Sequence, residues 1–176
     1  MNPDVIYYVA VSLNGYIATP DGGVDWLAAY QTPDEDYGYA AFFDSIDALI
    51  FGSRTYEQVV GFGAWPYGDK PCRVFSRRTL ATPRPEIRLT TAEPPEVLSE
   101  LAAQGLKRVW LVGGGQLAAS FRRHGLITEY ILSVIPVFLG GGVPLFAAPG
   151  PEASLALIGA TPYSNGVVQL HYRHAG

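Results

Sequence analysis

The sequence predicts one α/β domain: a mostly parallel central sheet, helices on both faces, and an antiparallel hairpin at the C-terminal end. Three observations predict it. Short apolar runs without alternation, such as Ala48–Phe51 and Val109–Val112, read as strands buried on both faces. Helix-patterned segments alternate with these runs through most of the chain. After Glu129 the helical patterns stop, and Leu155–Thr161 and Val167–Arg173 flank Ser164-Asn165-Gly166, a hairpin signal. A length of 176 residues suits one domain with a full core and is short for two.

Val5–Leu13 (VIYYVAVSL) is rich in β-formers and bounded by Pro3 and Asn14-Gly15, so it is a first, central strand. Tyr16–Ala18 continues it beyond a bend. Thr19–Val24 (TPDGGV) is a loop, followed by Asp25-Trp26-Leu27. A glycine-bearing loop with an aromatic anchor suits a lid; the alternative is a surface turn with Trp26 tucked into the core. Pro33 opens a helix with Asp34, Glu35 and Asp36 in its first turn and Tyr39, Phe42, Phe43 and Ile46 on its apolar side. Ala48–Phe51 is the second strand, stopped by Gly52. Ser53 caps the next helix, whose inward residues are Tyr56, Val59 and Val60.

Gly61–Pro71 is loop, and Arg73–Ser76 and Ile87–Thr90 are short strands. A helix starts at Pro95, buries Val97, Leu98, Leu101 and Ala102, and ends at Gly105. Val109–Val112 then runs through three glycines into a helix that carries Leu117 and Phe121 on one side and ends near Gly125. Glu129–Phe138 is a strand interrupted by Pro136, that part forming an edge or a bulge. Gly140–Phe146 is a second glycine turn before the terminal hairpin.

Composition narrows the function. A net charge of −4 gives no support to a general nucleic-acid or anionic-membrane surface. The single cysteine, Cys72, excludes an internal disulfide framework, suits a reducing compartment and reads as structural. No signal peptide and no spanning run are visible, so a cytoplasmic location is expected. His124, His171 and His174 lack metal-ligand spacing, so no metal is expected.

In an open α/β sheet, ligands bind outside the carboxyl ends of the strands. Three loops should meet there: Gly52-Ser53-Arg54-Thr55, Ser76-Arg77-Arg78, and Gly113-Gly114-Gly115-Gln116. Bare glycines let a ligand lie against the backbone, and helix starts offer unpaired N–H groups and a partial positive charge. With the arginines, whose forks match phosphate, this is an anion site for a diphosphate and one further phosphate. The alternative is three solvated arginines on unrelated loops. The spacing is neither G-x-G-x-x-G after the first strand nor a P-loop.

ALIFGSRTYE, VFSRR and VWLVGGGQLAASF, in that order, resemble the dihydrofolate reductase superfamily, and YYVAVSLNGYIA resembles its first strand. ILSVIPVFLGGGVPLF is more like the C-terminal reductase domain of bifunctional riboflavin-biosynthesis proteins. The resemblance covers nearly the whole chain. It implies a dihydrofolate reductase-like fold and a reductase that takes hydride from NADPH. Gly52, Arg54 and Thr55 would then meet the diphosphate and 2′-phosphate, with Ser76 and Arg77 at the adenosine end. Gly113, Gly114, Gly115, Gln116 and Leu117 would hold the diphosphate, and Ala10, Ile17 and Ala18 would line the nicotinamide slot.

Candidate proton donors are Asp36 and Asp25, and Trp26, Tyr39 and Phe43 are the candidate substrate contacts. A carboxylate complementing a helix start is the other reading of Asp36. Gly61–Pro71 (GFGAWPYGDKP) departs from the riboflavin-type reductases, whose acidic-Pro motif there reads a phosphorylated sugar, and no deaminase domain is seen. The expected substrate is therefore a flat pyrimidine or pterin-like compound. Dihydrofolate reduction and a non-catalytic NADPH sensor are the competing functions. The resemblance also implies a homodimer paired through the sheet's far end, with Glu129–Phe146 taking part.

Overall fold

The computed structural model describes residues 1–175. Ten strands and four α-helices follow in the order β1 (Asp4–Ser12), β2 (Tyr16–Ala18), α1 (Tyr39–Ser45), β3 (Ala48–Gly52), α2 (Ser53–Gly61), β4 (Cys72–Phe75), β5 (Ile87–Thr90), α3 (Pro94–Ala103), β6 (Arg108–Gly113), α4 (Gly115–Arg123), β7 (Glu129–Ile135), β8 (Val143–Pro144), β9 (Leu155–Pro162) and β10 (Val168–His174). The main sheet has the order β5-β4-β3-β6-β1-β7-β10-β9, and β2 pairs with β8 in a small second sheet. All pairs from β5 to β7 are parallel, and β10 is antiparallel to both β7 and β9.

Alternation along the buried strands divides the core into two layers. Val5, Tyr7, Ile50 and Leu111 face α3 and α4, where Leu98, Leu101, Ala118 and Phe121 are buried against them. Ile6, Leu49, Phe51 and Trp110 face α1 and α2, whose Phe42 and Tyr56 complete the second layer. This is the two-sided burial that the unbroken apolar runs require. Cys72 is fully buried there, and burial pushes its thiol up to about 12, so it stays protonated.

Several boundaries differ from the sequence reading for identifiable reasons. The helix expected from Pro33 starts only at Tyr39: Tyr37 and Gly38 both adopt positive φ, which breaks the helical path, and Thr32 bridges Glu35 in a tight turn. Ser53 does not cap α2; it is the first helical residue, and Gly52 holds the cap position without a side-chain bond. Val60 is 37% exposed rather than inward. α3 starts one residue early, where Glu93 and Glu96 form a capping box around Pro94. Asp25–Tyr30 is a 3-10 helix, and Tyr16–Ala18 leaves the main sheet to pair with β8. β7 stops just before Pro136 and lies inside the sheet, so the Glu129–Ile135 part of the segment expected at a dimer contact is already covered by β1 and β10. The sheet has two edge strands, β5 and β9, and β9 exposes Leu155, Leu157 and Ile158. Among the described residues no helix is long and apolar enough to cross a membrane.

Candidate active site

Register brings the three loops together. Gly52 pairs with Phe75, which precedes Ser76, and Phe51 pairs with Gly113, so the ends of β4, β3 and β6 lie side by side at one sheet edge. The approach is close. A Cβ on Gly52 would sit 3.3 Å from the Gly114 nitrogen, and one on Gly114 would sit 3.2 Å from Thr55 Oγ1. The Gly113–Gly114 peptide is cis. Neither α2 nor α4 has a side-chain cap, so the first-turn N–H groups of both helices, two partial positive charges, remain open at this crevice.

The residues expected around the cofactor separate into two groups. Gln116 is exposed at the start of α4, and Gly114 and Thr55 are half-buried beside it. Gly115 is turned away: a Cβ there would lie 2.4 Å from the Pro144 carbonyl, and the Ala147 N–H donates to its own carbonyl. Leu117 is in the core. These two offer a ligand only backbone N–H. Arg54 and Arg77 are exposed and have no carboxylate partner among the described residues. Arg78 is bidentate to Glu57, at 3.1 and 2.6 Å, and holds that carboxyl below its usual range. Its charge is compensated, leaving two available arginines rather than three. Ser76 Oγ donates to the Arg78 carbonyl at 2.8 Å, which fixes the turn.

Thr19–Val24 is tethered over this edge: Gln58 on α2 donates to the Gly22 carbonyl at 2.8 Å. Ile17 is half-buried and Ala18 buried on β2. A Cβ on Gly142 would lie 2.0 Å from the Ala18 carbonyl, so the second glycine turn packs directly against this strand.

Beyond β6, on the α1 side of the sheet, a cleft of about 440 Å³ opens over β1 and β7. Tyr8 and Ala10 from β1, Ser133 and Ile135 from β7, Leu27 and Tyr30 from the 3-10 helix, Asp36 from the loop after it and Tyr39 at the start of α1 line it. Of the expected acceptor residues, Asp36 and Tyr39 face this space. Asp25 is exposed at the start of the 3-10 helix and does not line it. Trp26 points elsewhere, with its Nε1 enclosed, and Phe43 stacks behind Tyr39 at 5.9 Å. Of the aromatics of Gly61–Pro71, Trp65 and Tyr67 pack inward against Phe51 and Phe62 is exposed; none of the three lines the cleft.

Electrostatics separates the roles. Asp36 Oδ2 accepts from the Ala40 N–H at 3.1 Å and Oδ1 from Gly38 at 2.9 Å; these bonds hold its carboxyl below the usual carboxylate range. Asp36 therefore stands ionised at neutral pH, tied to the start of α1. Burial lifts the Tyr8 hydroxyl to about 12, with the Gln169 amide opposing. Sequence reading missed Tyr8, Ser133 and Ile135. Tyr8 was within reach, since it shares a strand face with Ala10 two positions on. Ser133 arrives only through the pairing Ala10↔Ser133, a tertiary register that no local pattern reveals.

The family model described as the RibD C-terminal domain matches residues 3–169. The uncharacterised protein YwjB of Bacillus subtilis is 35% identical over 176 residues, covering 99% of this chain and 100% of its own. The crystal structure of a candidate riboflavin biosynthesis protein from Shewanella sp. PV-4 superposes with a TM-score of 0.89 at 30% identity, covering all of both chains. The riboflavin biosynthesis protein RibD of Corynebacterium ammoniagenes is 28% identical over 161 residues, which is 84% of this chain and 47% of that protein.

Proposed function

The chain belongs to the RibD C-terminal domain family, and from that premise we propose that it is an NADPH-dependent reductase of a pyrimidine- or pterin-like acceptor. One observation carries the reading: the uncapped starts of α2 and α4 meet at Gly52, Thr55 and Gly114, one strand away from an aromatic cleft. The donor set fits a dinucleotide. Backbone N–H groups suit a diphosphate, and the unpaired Arg54 and Arg77 suit the extra phosphate that separates NADPH from NADH. Bound there, the cofactor supplies hydride.

The chain's own part is to hold and to exclude. Ala10 leaves room for a flat ring on the sheet, the tethered Thr19–Val24 loop shields the edge from water, and Tyr8 and Tyr39 provide aromatic walls. Asp36, held as an anion, accepts N–H groups of the acceptor and is poorly suited to give up a proton.

Titrating NADPH and NADH separately, then following NADPH absorbance with pyrimidine and dihydrofolate acceptors, tests the proposal. Preference for NADPH and its oxidation by a pyrimidine are expected; a preference for NADH overturns it. Dihydrofolate turnover would move the acceptor assignment, which Asp36 beside Tyr39 also accommodates. NADPH binding without turnover would favour a cofactor sensor, a reading supported by Asp36 being held ionised at the cleft. We also infer a homodimer, paired along the β9 edge.

A further inference from the structure

We propose that Ser133 selects the acceptor by donating a hydrogen bond into the cleft, and that Gln169 fixes the direction of that hydroxyl. The inference rests on reading the cleft as the acceptor site. Ser133 is 9% exposed and lies on the cleft floor, paired with Ala10 on one side and Gln169 on the other. A free serine hydroxyl rotates to donate or accept as its surroundings require. Here the surroundings decide. One side-chain atom of Gln169 lies 3.1 Å from the Tyr37 carbonyl and 3.2 Å from Ser133 Oγ. A carbonyl oxygen only accepts, so that atom is the amide nitrogen and not its oxygen. One of its hydrogens goes to Tyr37 and the other to Ser133, and the Tyr8 hydroxyl lies beside the same amide. Ser133 is thereby an acceptor towards Gln169, and its own proton finds no protein acceptor among the described residues. It is left to donate towards the ligand.

The Tyr37 carbonyl that imposes this polarity is itself fixed. Tyr37 has φ +54°, in the left-handed region. Its hydroxyl donates to the Tyr30 carbonyl and accepts from Asn165 Nδ2, while its ring meets Tyr163 edge-on at 4.8 Å. The terminal hairpin thus sets the hydrogen-bond sense of the cleft from behind. A ligand that presents a carbonyl oxygen or an unprotonated ring nitrogen takes up the Ser133 proton; an amino group can reach only the remaining Oγ lone pair and leaves that proton without an acceptor.

The test is calorimetric titration of the full chain, with NADP⁺ present, using uracil, cytosine and isocytosine. The last two replace one or the other uracil carbonyl by an amino group, and all three are neutral at pH 7.5. The wild type is expected to favour uracil over at least one of the two by about tenfold, the scale of one hydrogen bond plus an unpaired donor. Ser133→Ala erases that preference, and Ser133→Thr, which keeps the hydroxyl, retains it. Gln169→Met frees the hydroxyl to turn, so the disfavoured amino compound gains affinity while uracil stays within about threefold. A merely structural role for Gln169 would produce no such gain. Equal binding of the three probes, no binding of any, or a preference that survives Ser133→Ala overturns the proposal. NADPH titration without a pyrimidine tests the reductase reading on its own, so the two failures are distinguishable.

Discussion

Glu129 shows what a single buried charge demands. It is 2% exposed on β7 and accepts from His171 Nε2 at 2.9 Å and Arg173 at 2.8 Å, with Arg108 at 3.3 Å. Burial raises its carboxyl, and these partners outweigh burial and leave it below the usual glutamate range. A carboxyl lowered on folding stabilises the protein above its unfolded value, roughly 4.3, and that contribution fades as pH falls through the folded value. Chemical denaturation between pH 7 and pH 3 is expected to show stability falling most steeply below pH 4.5 in the wild type. Glu129→Gln should flatten that slope and cost about 3 kcal/mol at pH 7, the lower end for breaking a buried pair, because Arg108 and Arg173 retain access to water. At the cleft, Asp36→Asn removes the negative charge and, with one acceptor oxygen in place of two, keeps only one of the bonds from Gly38 and Ala40. The expected result is a raised KM for the acceptor, with NADPH affinity unchanged in a fluorescence titration.

At the scale of elements, neighbouring glycines separate by what they face. Gly115 sits against the Pro144 carbonyl, so Gly115→Ala forces β8 off the start of α4 and should lower the melting temperature measurably. Gly114→Ala presses only on Thr55 Oγ1, at the ligand side. There the expected effect is weaker NADPH binding with a nearly unchanged melting temperature, read by calorimetric titration and thermal melting on the same sample. Elements built from local chemistry were legible in the sequence. β3 and β6 announced themselves by unbroken apolar runs, and the terminal hairpin by Asn165-Gly166. The crevice was legible too, because its parts are loops directly after those strands. What was hidden depends on contacts distant in the chain. The shortened α1 follows from Tyr37, whose conformation is held by Tyr30 and Asn165. The inward turn of Phe43 follows from Tyr39 and Tyr67. The loss of Arg78 as a phosphate partner follows from Glu57 on another element.

At the scale of the whole molecule, the sheet is open at both ends, with β5 and β9 as its edge strands. β9 is paired only with β10, and Leu157 and Ile158 are 57% and 52% exposed on it. Soluble proteins rarely leave an apolar edge of this kind unpaired. Placing charge there, as Leu157→Lys with Ile158→Lys, removes no core contact. Sedimentation velocity is expected to show a dimer for the wild type and a monomer for the double variant, with unchanged circular dichroism. A wild-type monomer at micromolar concentration would refute the dimer.

The two-residue strand β8 touches both halves of the proposed site, meeting Gly115 through the Pro144 carbonyl and pairing with β2 at Tyr16 and Ala18. A rod-shaped guest gripped at its anionic middle and laid along Ala18 at its tip is therefore measured by one short ruler. Lengthening Gly140–Gly142 by a residue would leave each grip intact and put them out of step.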